Sequence, residues 1–218
     1  MTVSRSTVHE RPRRRLDDVR RPQILATTVE LIGERGLWSV RLADVAKRAG
    51  ISATSVVYYF GSKDQLFAQA IADADDGFYE PLLAELARLD TAAERIALLF
   101  VRSSTSDWPL WMDLWVYSRR HPETAAAQRR FHERWRTTIA DVVAFGCATG
   151  EWTVAQPGEV ALRLSALTDG LAVHMVLGDA EHTPERYVSM SLVTASLELG
   201  CELAALERAA AACPPART

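Results

Sequence analysis

The sequence predicts an all-α protein of about nine helices, and three observations carry that expectation. Apolar residues recur at spacings of three and four along nearly every ordered segment, the period of a helix with one buried face. Helix starts are legible as capping residues or as prolines placed in a first turn. No stretch combines the period-two alternation of a strand with hairpin turns, and no internal repeat is visible.

The elements follow in order. Residues 2–16 are polar, with arginines at 5, 11, 13, 14 and 15 around Pro12, and are expected to form a flexible basic arm over 1–16. Ile24, Thr28, Leu31 and Ile32 make one face of a first helix, stopped by Gly36. Leu42, Val45, Ala46 and Ala49 make a short second helix, stopped by Gly50. Ser52 caps a third, from Ala53 to about Phe60, by accepting from the amide of Ser55. Ser62 and Gln65 form a capping box that opens a fourth, with Leu66, Phe67, Ala70 and Ile71 inward. Pro81 is expected to bend or break that helix, which otherwise runs to about Arg88.

Thr91 and Glu94 are a second capping box, ahead of Ile96, Leu99 and Phe100. Pro109, Pro122 and Pro184 sit where a first turn accepts proline, and Thr183 caps the last helix. Gly150 and Gln156-Pro157-Gly158 divide a long helix, about 123–149, from the next, about 159–177. The final helix is expected over about 184–206.

Composition narrows the function. Hydrophobic residues are 48% and charged residues 24% of 218, a globular balance that rules out wholesale disorder. The most apolar run, 161–177, is interrupted by Arg163, Asp169 and His174, so no membrane span is expected. The first residues have arginines without an apolar core, so no secretory signal is expected either. Cys147, Cys201 and Cys213 are odd in number and widely spaced, which fits reduced thiols in a cytoplasmic protein. The histidines show no metal-ligand spacing, and no metal or cofactor is expected. There is no nucleophile elbow, phosphate-cradling glycine loop or H-E-x-x-H, so no catalytic residue and no enzyme activity are expected.

Charge is unevenly spread. Residues 1–63 hold 12 Lys/Arg against 6 Asp/Glu, whereas 64–218 hold 13 against 22. A basic end on an acidic body binds a polyanion locally without adhering everywhere. Within that end, Leu42 to Phe60 has the form helix, glycine turn, helix, with Ile51 buried between the two. Val56 and Phe60 point inward, so Ala53, Thr54, Val57 and Tyr58 face outward, where they suit thymine methyls and a phosphate oxygen of a major groove.

The stretch Ile24 to Phe67, above all LADVAKRAGISATSVVYYFGSKDQLF (Leu42 to Phe67), closely resembles the DNA-binding domain of TetR-type transcriptional regulators. The resemblance implies a helix-turn-helix domain over 17–62 and a ligand-binding, dimerising domain over 63–218. Its recognition helix maps onto Ser52 to Tyr59, bringing Ala53, Thr54 and Ser55 to double-stranded DNA. Tyr58 and Lys63 match positions that grip the DNA backbone, and Arg41 is placed to do the same. Val57 and Tyr59 stand where many relatives carry tyrosine and histidine, and Tyr59 is equally suited to DNA contact and to partial burial. The basic arm enters an adjacent minor groove or attracts phosphate diffusely.

The resemblance also implies a homodimer through the last two helices, about 159–177 and 184–206, and a small-molecule effector. Leu164, Leu167, Leu171 and Met175, with Tyr187, Met190, Thr194, Leu197 and Cys201, supply stripes for either a dimer face or the chain's own core. Trp108, Trp111 and Trp115 share one helix, and with Phe100, Phe131 and Trp135 they read as an effector cavity or as plain core. Asp169 and His174, in an apolar helix, read as polar contacts for the effector or as a satisfied structural pair. The expected function is therefore a repressor that binds a palindromic operator and is released by a small molecule. The alternative is a constitutive or activating dimer without a ligand.

Overall fold

Backbone punctuation in the chain is carried by caps and glycines, and most of the expected ones are in place. Ser52, Thr91 and Thr183 each accept from the amide three residues on, and Glu94 reaches back to the Thr91 amide, closing its box. The computed structural model describes residues 11–214, with side chains from residue 20. Among these residues it has ten helices and no strand: α1 (Arg11–Arg35), α2 (Leu42–Arg48), α3 (Ala53–Phe60), α4 (Lys63–Leu86), α5 (Ala92–Ser104), α6 (Trp108–Ser118), α7 (Pro122–Thr149), α8 (Pro157–Val176), α9 (Pro184–Leu199) and α10 (Leu203–Ala212). No helix among them is long and apolar enough to cross a membrane.

Three local expectations are corrected. Residues 11–16, expected in a flexible arm, are helical and open α1, while residues 1–10 lie outside the described residues. Pro81 does not end α4, which passes through it to Leu86. The last helix does not reach Leu206: Gly200, at φ +64°, stops α9 and a separate α10 follows, making ten helices rather than about nine. A left-handed residue is cheap only for glycine, so the break is local chemistry that the apolar period concealed.

Two buried clusters make the core. One joins Ile24, Leu31, Val45, Val56, Phe60 and Phe67 of the first four helices to Trp108, Trp111, Leu114 and Tyr117 of α6, Phe131 of α7 and Tyr187 of α9. The other packs Tyr79, Leu82, Ile96, Phe100, Trp135, Ile139, Leu164 and Leu192. The tryptophan helix α6 thus shares a core with the helix-turn-helix. Helix α7 runs through the middle of the remainder, touching α4, α5, α6 and α8.

The stripes proposed for dimerisation divide. Leu164, Leu171 and Tyr187 are buried within the chain itself, Leu167, Met175, Met190, Thr194 and Cys201 are half-buried, and Leu197 is exposed. The apolar residues of α8 and α9 that do face outward are Leu162, Val193 and Leu197, with Leu177 just past the end of α8.

Candidate DNA interface and effector site

The turn between α2 and α3 is set by two backbone bonds and a side-chain cap. Gly50, at φ +66°, lets its amide reach the Lys47 carbonyl and the Ile51 amide reach the Ala46 carbonyl (3.0 Å), a Schellman ending. Ser52 then caps α3, accepting from the Ser55 amide at 3.0 Å, with the two hydroxyls 2.8 Å apart. Gly61, at φ +82°, ends α3, and Ser62 opens α4 by accepting from the Gln65 amide.

Val56 and Phe60 of α3 are buried, while Ser52, Ala53, Thr54, Val57 and Tyr58 are exposed. Tyr58 is 76% exposed, an apolar ring that a monomer in water gains nothing by presenting. Ser55 and Tyr59 are half-buried, and the Tyr59 carbonyl accepts from Arg21 of α1 at 2.9 Å. Arg21 also bonds Gln69, locking α1 to α4 behind α3. Arg48 donates to Glu34 through its two terminal guanidinium nitrogens, at 2.9 and 2.8 Å, and so braces α2 against α1.

Lys63 opens α4 with its ammonium over the Phe67 ring. Burial lowers its pKa, opposed by the Asp64 charge and aided by that of Arg41. A lysine in the first turn of a helix adds to the attraction of that terminus for an anion. Arg41 is exposed, and its amide is held by the Asp44 carboxylate at 2.9 Å.

The interior aromatic residues pack in two groups along α7, where it meets α4, α6 and α8. Trp111 stacks on Phe131 at 4.2 Å, Trp108 lies 6.2 Å from Tyr187, and Trp115 lies 5.2 Å from the His132 ring. Trp135 donates to the Thr168 hydroxyl, and Tyr187 shares a 2.9 Å hydrogen bond with Ser103. Phe100 is fully buried, in the other core cluster with Trp135. The expected aromatics are thus brought into the interior, but as two packed groups.

Sequence reasoning missed Asp75 and Tyr79 of α4, both buried at the same junction. Arg134 lies over the Tyr79 ring at 4.2 Å and bonds Asp75 at 3.0 Å. Burial raises the Asp75 carboxyl above its usual range despite that pairing. Burial also raises the Tyr79 pKa strongly, with the Asp75 and Asp169 charges adding to it. Asp169, half-buried, is pushed up to about 6 by burial and opposed by His132, 3.7 Å away. Three buried polar atoms here have no hydrogen-bond partner: Asp75 Oδ1, Tyr79 OH and Trp115 Nε1. Each such atom costs about 1–3 kcal/mol, a cost that a polar occupant relieves. Asp75 carried a sequence signal, a carboxylate on the inward face of α4, but α4's apolar pattern beyond Ile71 is too weak to show which face that is.

His174 does not join this group. It is exposed at the end of α8, stacked on His182 at 4.5 Å. A separate cleft of about 460 Å³ lies between α4, α5 and α10, lined by Pro81, Leu89, Leu98 and Ala209 among others, and none of the expected effector residues lines it.

Helix α6 connects the two regions. Asp113 accepts from the Leu37 amide at 2.7 Å, in the loop before α2. Tyr117 donates to Asp64, the residue after Lys63, at 2.7 Å, and His121 Nδ1 lies 3.1 Å from the other oxygen of the same carboxylate.

A helix-turn-helix whose second helix is exposed on one face, joined by α6 to an all-helical body, is the architecture of a DNA-binding transcriptional regulator. The chain belongs to the TetR family of bacterial regulators: residues 24–70 match the bacterial regulatory proteins of the tetR family, and residues 86–199 match the C-terminal domain of BetI-type transcriptional repressors. It is 27% identical to the HTH-type transcriptional regulator BetI of Brucella anthropi over 173 residues, which is 77% of this chain and 87% of that one. BetI 1 of Chromohalobacter salexigens is 29% identical over 131 residues, 57% of this chain and 64% of that one. Among solved structures, a regulator from Saccharomonospora viridis in complex with choline aligns with a TM-score of 0.74 and 28% identity, covering 80% of this chain and 94% of the other. A TetR-family regulator from a Rhodococcus species shares the fold, with a TM-score of 0.73 at 23% identity, over 84% of this chain and 99% of that one. These relatives are transcriptional regulators, not enzymes.

Proposed function

We propose that this chain acts as a homodimeric repressor that binds a palindromic operator and is released by a small cationic effector. The observation that carries the reading is the double role of α6. Its Trp115 ring lies against His132, the partner of Asp169, while Asp113 hydrogen-bonds the loop before α2 and Tyr117 the first turn of α4.

In this reading residues 17–62 bind DNA, with α1 extending back to Arg11. Ala53, Thr54 and Ser55 approach base edges, and Val57 meets a thymine methyl. Ser52, Tyr58, Lys63 and Arg41 hold phosphates, with Tyr59 at the rim. Residues 63–218 sense and dimerise. Outward Leu162, Leu177, Val193 and Leu197 of the α8–α9 pair support the dimer face. A two-fold pair sets its recognition helices about 34 Å apart, one turn of DNA.

Arg134 already pairs Asp75 and covers the Tyr79 ring, so Asp169, on the Trp115–His132 side, is the carboxylate left for a cation with apolar faces, a ligand that aromatic rings and carboxylates both attract. The choline-bound relative supports a quaternary ammonium compound as the effector class. An effector that binds the released geometry better shifts the population away from DNA, and about 2.7 kcal/mol of coupling suffices for a hundredfold loss of affinity.

The test is fluorescence anisotropy on the DNA upstream of the gene, with random-sequence competitor and with or without choline. Binding that survives competitor and is released by choline is expected. Specific binding unaffected by bound choline would favour a constitutive dimer.

A further inference from the structure

The turn between α8 and α9 gathers three metal-ligating side chains that the effector site does not use. His174 closes the last turn of α8, Asp179 follows the helix end, and His182 precedes the Thr183 cap of α9. Their spacing of five and three residues matches no familiar metal motif, so linear reading found none. Folding brings them together because Gly178, at φ +76°, reverses the chain and the Asp179 amide bonds the His174 carbonyl at 3.1 Å. The His182 amide in turn bonds the Asp179 carbonyl at 3.0 Å.

The three donor atoms lie close together, and a modest rotation of one imidazole turns both rings toward the shared carboxylate oxygen. Asp179 Oδ2 lies 3.6 Å from His174 Nδ1 and 3.0 Å from His182 Nδ1, and all three donors lie within 4.8 Å of one another. Bonds of about 2.05 Å at tetrahedral angles put ligand atoms about 3.4 Å apart, a distance those two values bracket. Asp179 Oδ1 accepts from the Glu181 amide at 3.1 Å, which turns Oδ2 toward the imidazoles as an outer-shell bond would.

His182 Nδ1 is buried and lies 3.0 Å from the Asp179 carboxylate, yet is too poorly aligned with it to make a hydrogen bond. A neutral imidazole nitrogen left in this way costs free energy that a metal bond recovers. The two rings, stacked at 20° and 4.5 Å, would repel as imidazolium ions but not as neutral ligands.

We propose that His174, Asp179 and His182 bind one divalent first-row transition metal ion of the zinc type, with water completing its sphere. Two imidazoles and a carboxylate suit zinc, cobalt and nickel better than magnesium or calcium. The ion staples the end of α8 to the start of α9.

The test uses tag-free, chelator-stripped full-length chain titrated with cobalt(II), followed by absorbance, and then competed with zinc. One cobalt per chain with visible d–d bands is expected, and zinc should displace it. His174→Ala and His182→Ala should each weaken binding at least about tenfold. Asp179→Asn, nearly isosteric, should do the same with unchanged helicity by circular dichroism. Zinc should raise the melting temperature of the unsubstituted chain alone. No stoichiometric binding, equal binding by the variants, or a thiolate-to-metal band would overturn the assignment.

Discussion

Tyr117 of α6 donates a 2.7 Å hydrogen bond to Asp64, one residue past the lysine that opens α4 beside the recognition helix. The His121 ring stacks on Tyr117 at 3.7 Å and approaches the other carboxylate oxygen. Burial opposes the Asp64 charge, but these two hydrogen bonds outweigh it and hold its carboxyl below the usual range. A movement of α6 is therefore felt where the chain would hold phosphate.

Tyr117→Phe removes that bond while keeping the ring. Operator affinity without effector should change less than about threefold, whereas release by effector should weaken by about tenfold, the worth of one charge-assisted bond. Anisotropy titrations with and without effector check it. Unchanged release with the effector bound would exclude this connection.

Lys63→Ala and Tyr58→Phe should weaken binding to all DNA sequences alike. Lys63→Ala should also lower the slope of log affinity against log salt by about one phosphate. Thr54→Ala should instead change sequence preference at one position of each half-site. Affinities measured at several salt concentrations on operator and random DNA separate the three.

Asp169, raised to about 6, gives two pH effects. A cationic effector should bind with constant affinity above about pH 7 and progressively more weakly as pH falls through about 6, and Asp169→Asn should flatten that profile. For stability the sign is opposite. Between the unfolded value of 3.8 and about 6 the folded chain holds a proton that the unfolded chain has released, so this group's contribution is lost as pH rises through that window. Asp169→Asn should therefore raise the melting temperature at pH 8, by at most about 3 kcal/mol of stability, with a smaller gain at pH 5. Calorimetry at both pH values, and effector titrations across them, provide the check.

Leu197 is 78% exposed on α9, near the Arg163–Glu198 pair that joins α8 to α9. Leu197→Arg should convert a dimer to a monomer with unchanged helicity and reduce operator affinity by at least about a hundredfold, because half-site binding loses its tethered second contact. Sedimentation velocity with circular dichroism tests it.

Much of this protein was legible without coordinates. The 3.6-residue period, the Ser52, Thr91 and Thr183 caps and the Gly36 and Gly50 stops act over four or five residues, so local chemistry alone places the helices and the helix-turn-helix. Inward Val56 and Phe60 and outward Val57 and Tyr58 follow from the same period. Gly200 was legible only afterwards, because an apolar stripe continues past it whether or not the helix does.

Tertiary structure alone decided which faces meet. Trp108, Trp111 and Trp115 share a helix by sequence, yet only packing shows that α6 lies in one core with the DNA-binding helices and leaves Trp115 Nε1 unpaired near Asp169 and His132. Asp75 and Tyr79 of α4 meet Asp169 of the distant α8, and His174 leaves that group because α8 carries it out to the turn with Asp179 and His182. A period along one helix says which residues share a side. It carries no information about the neighbour on that side, which is settled by long-range contacts between elements.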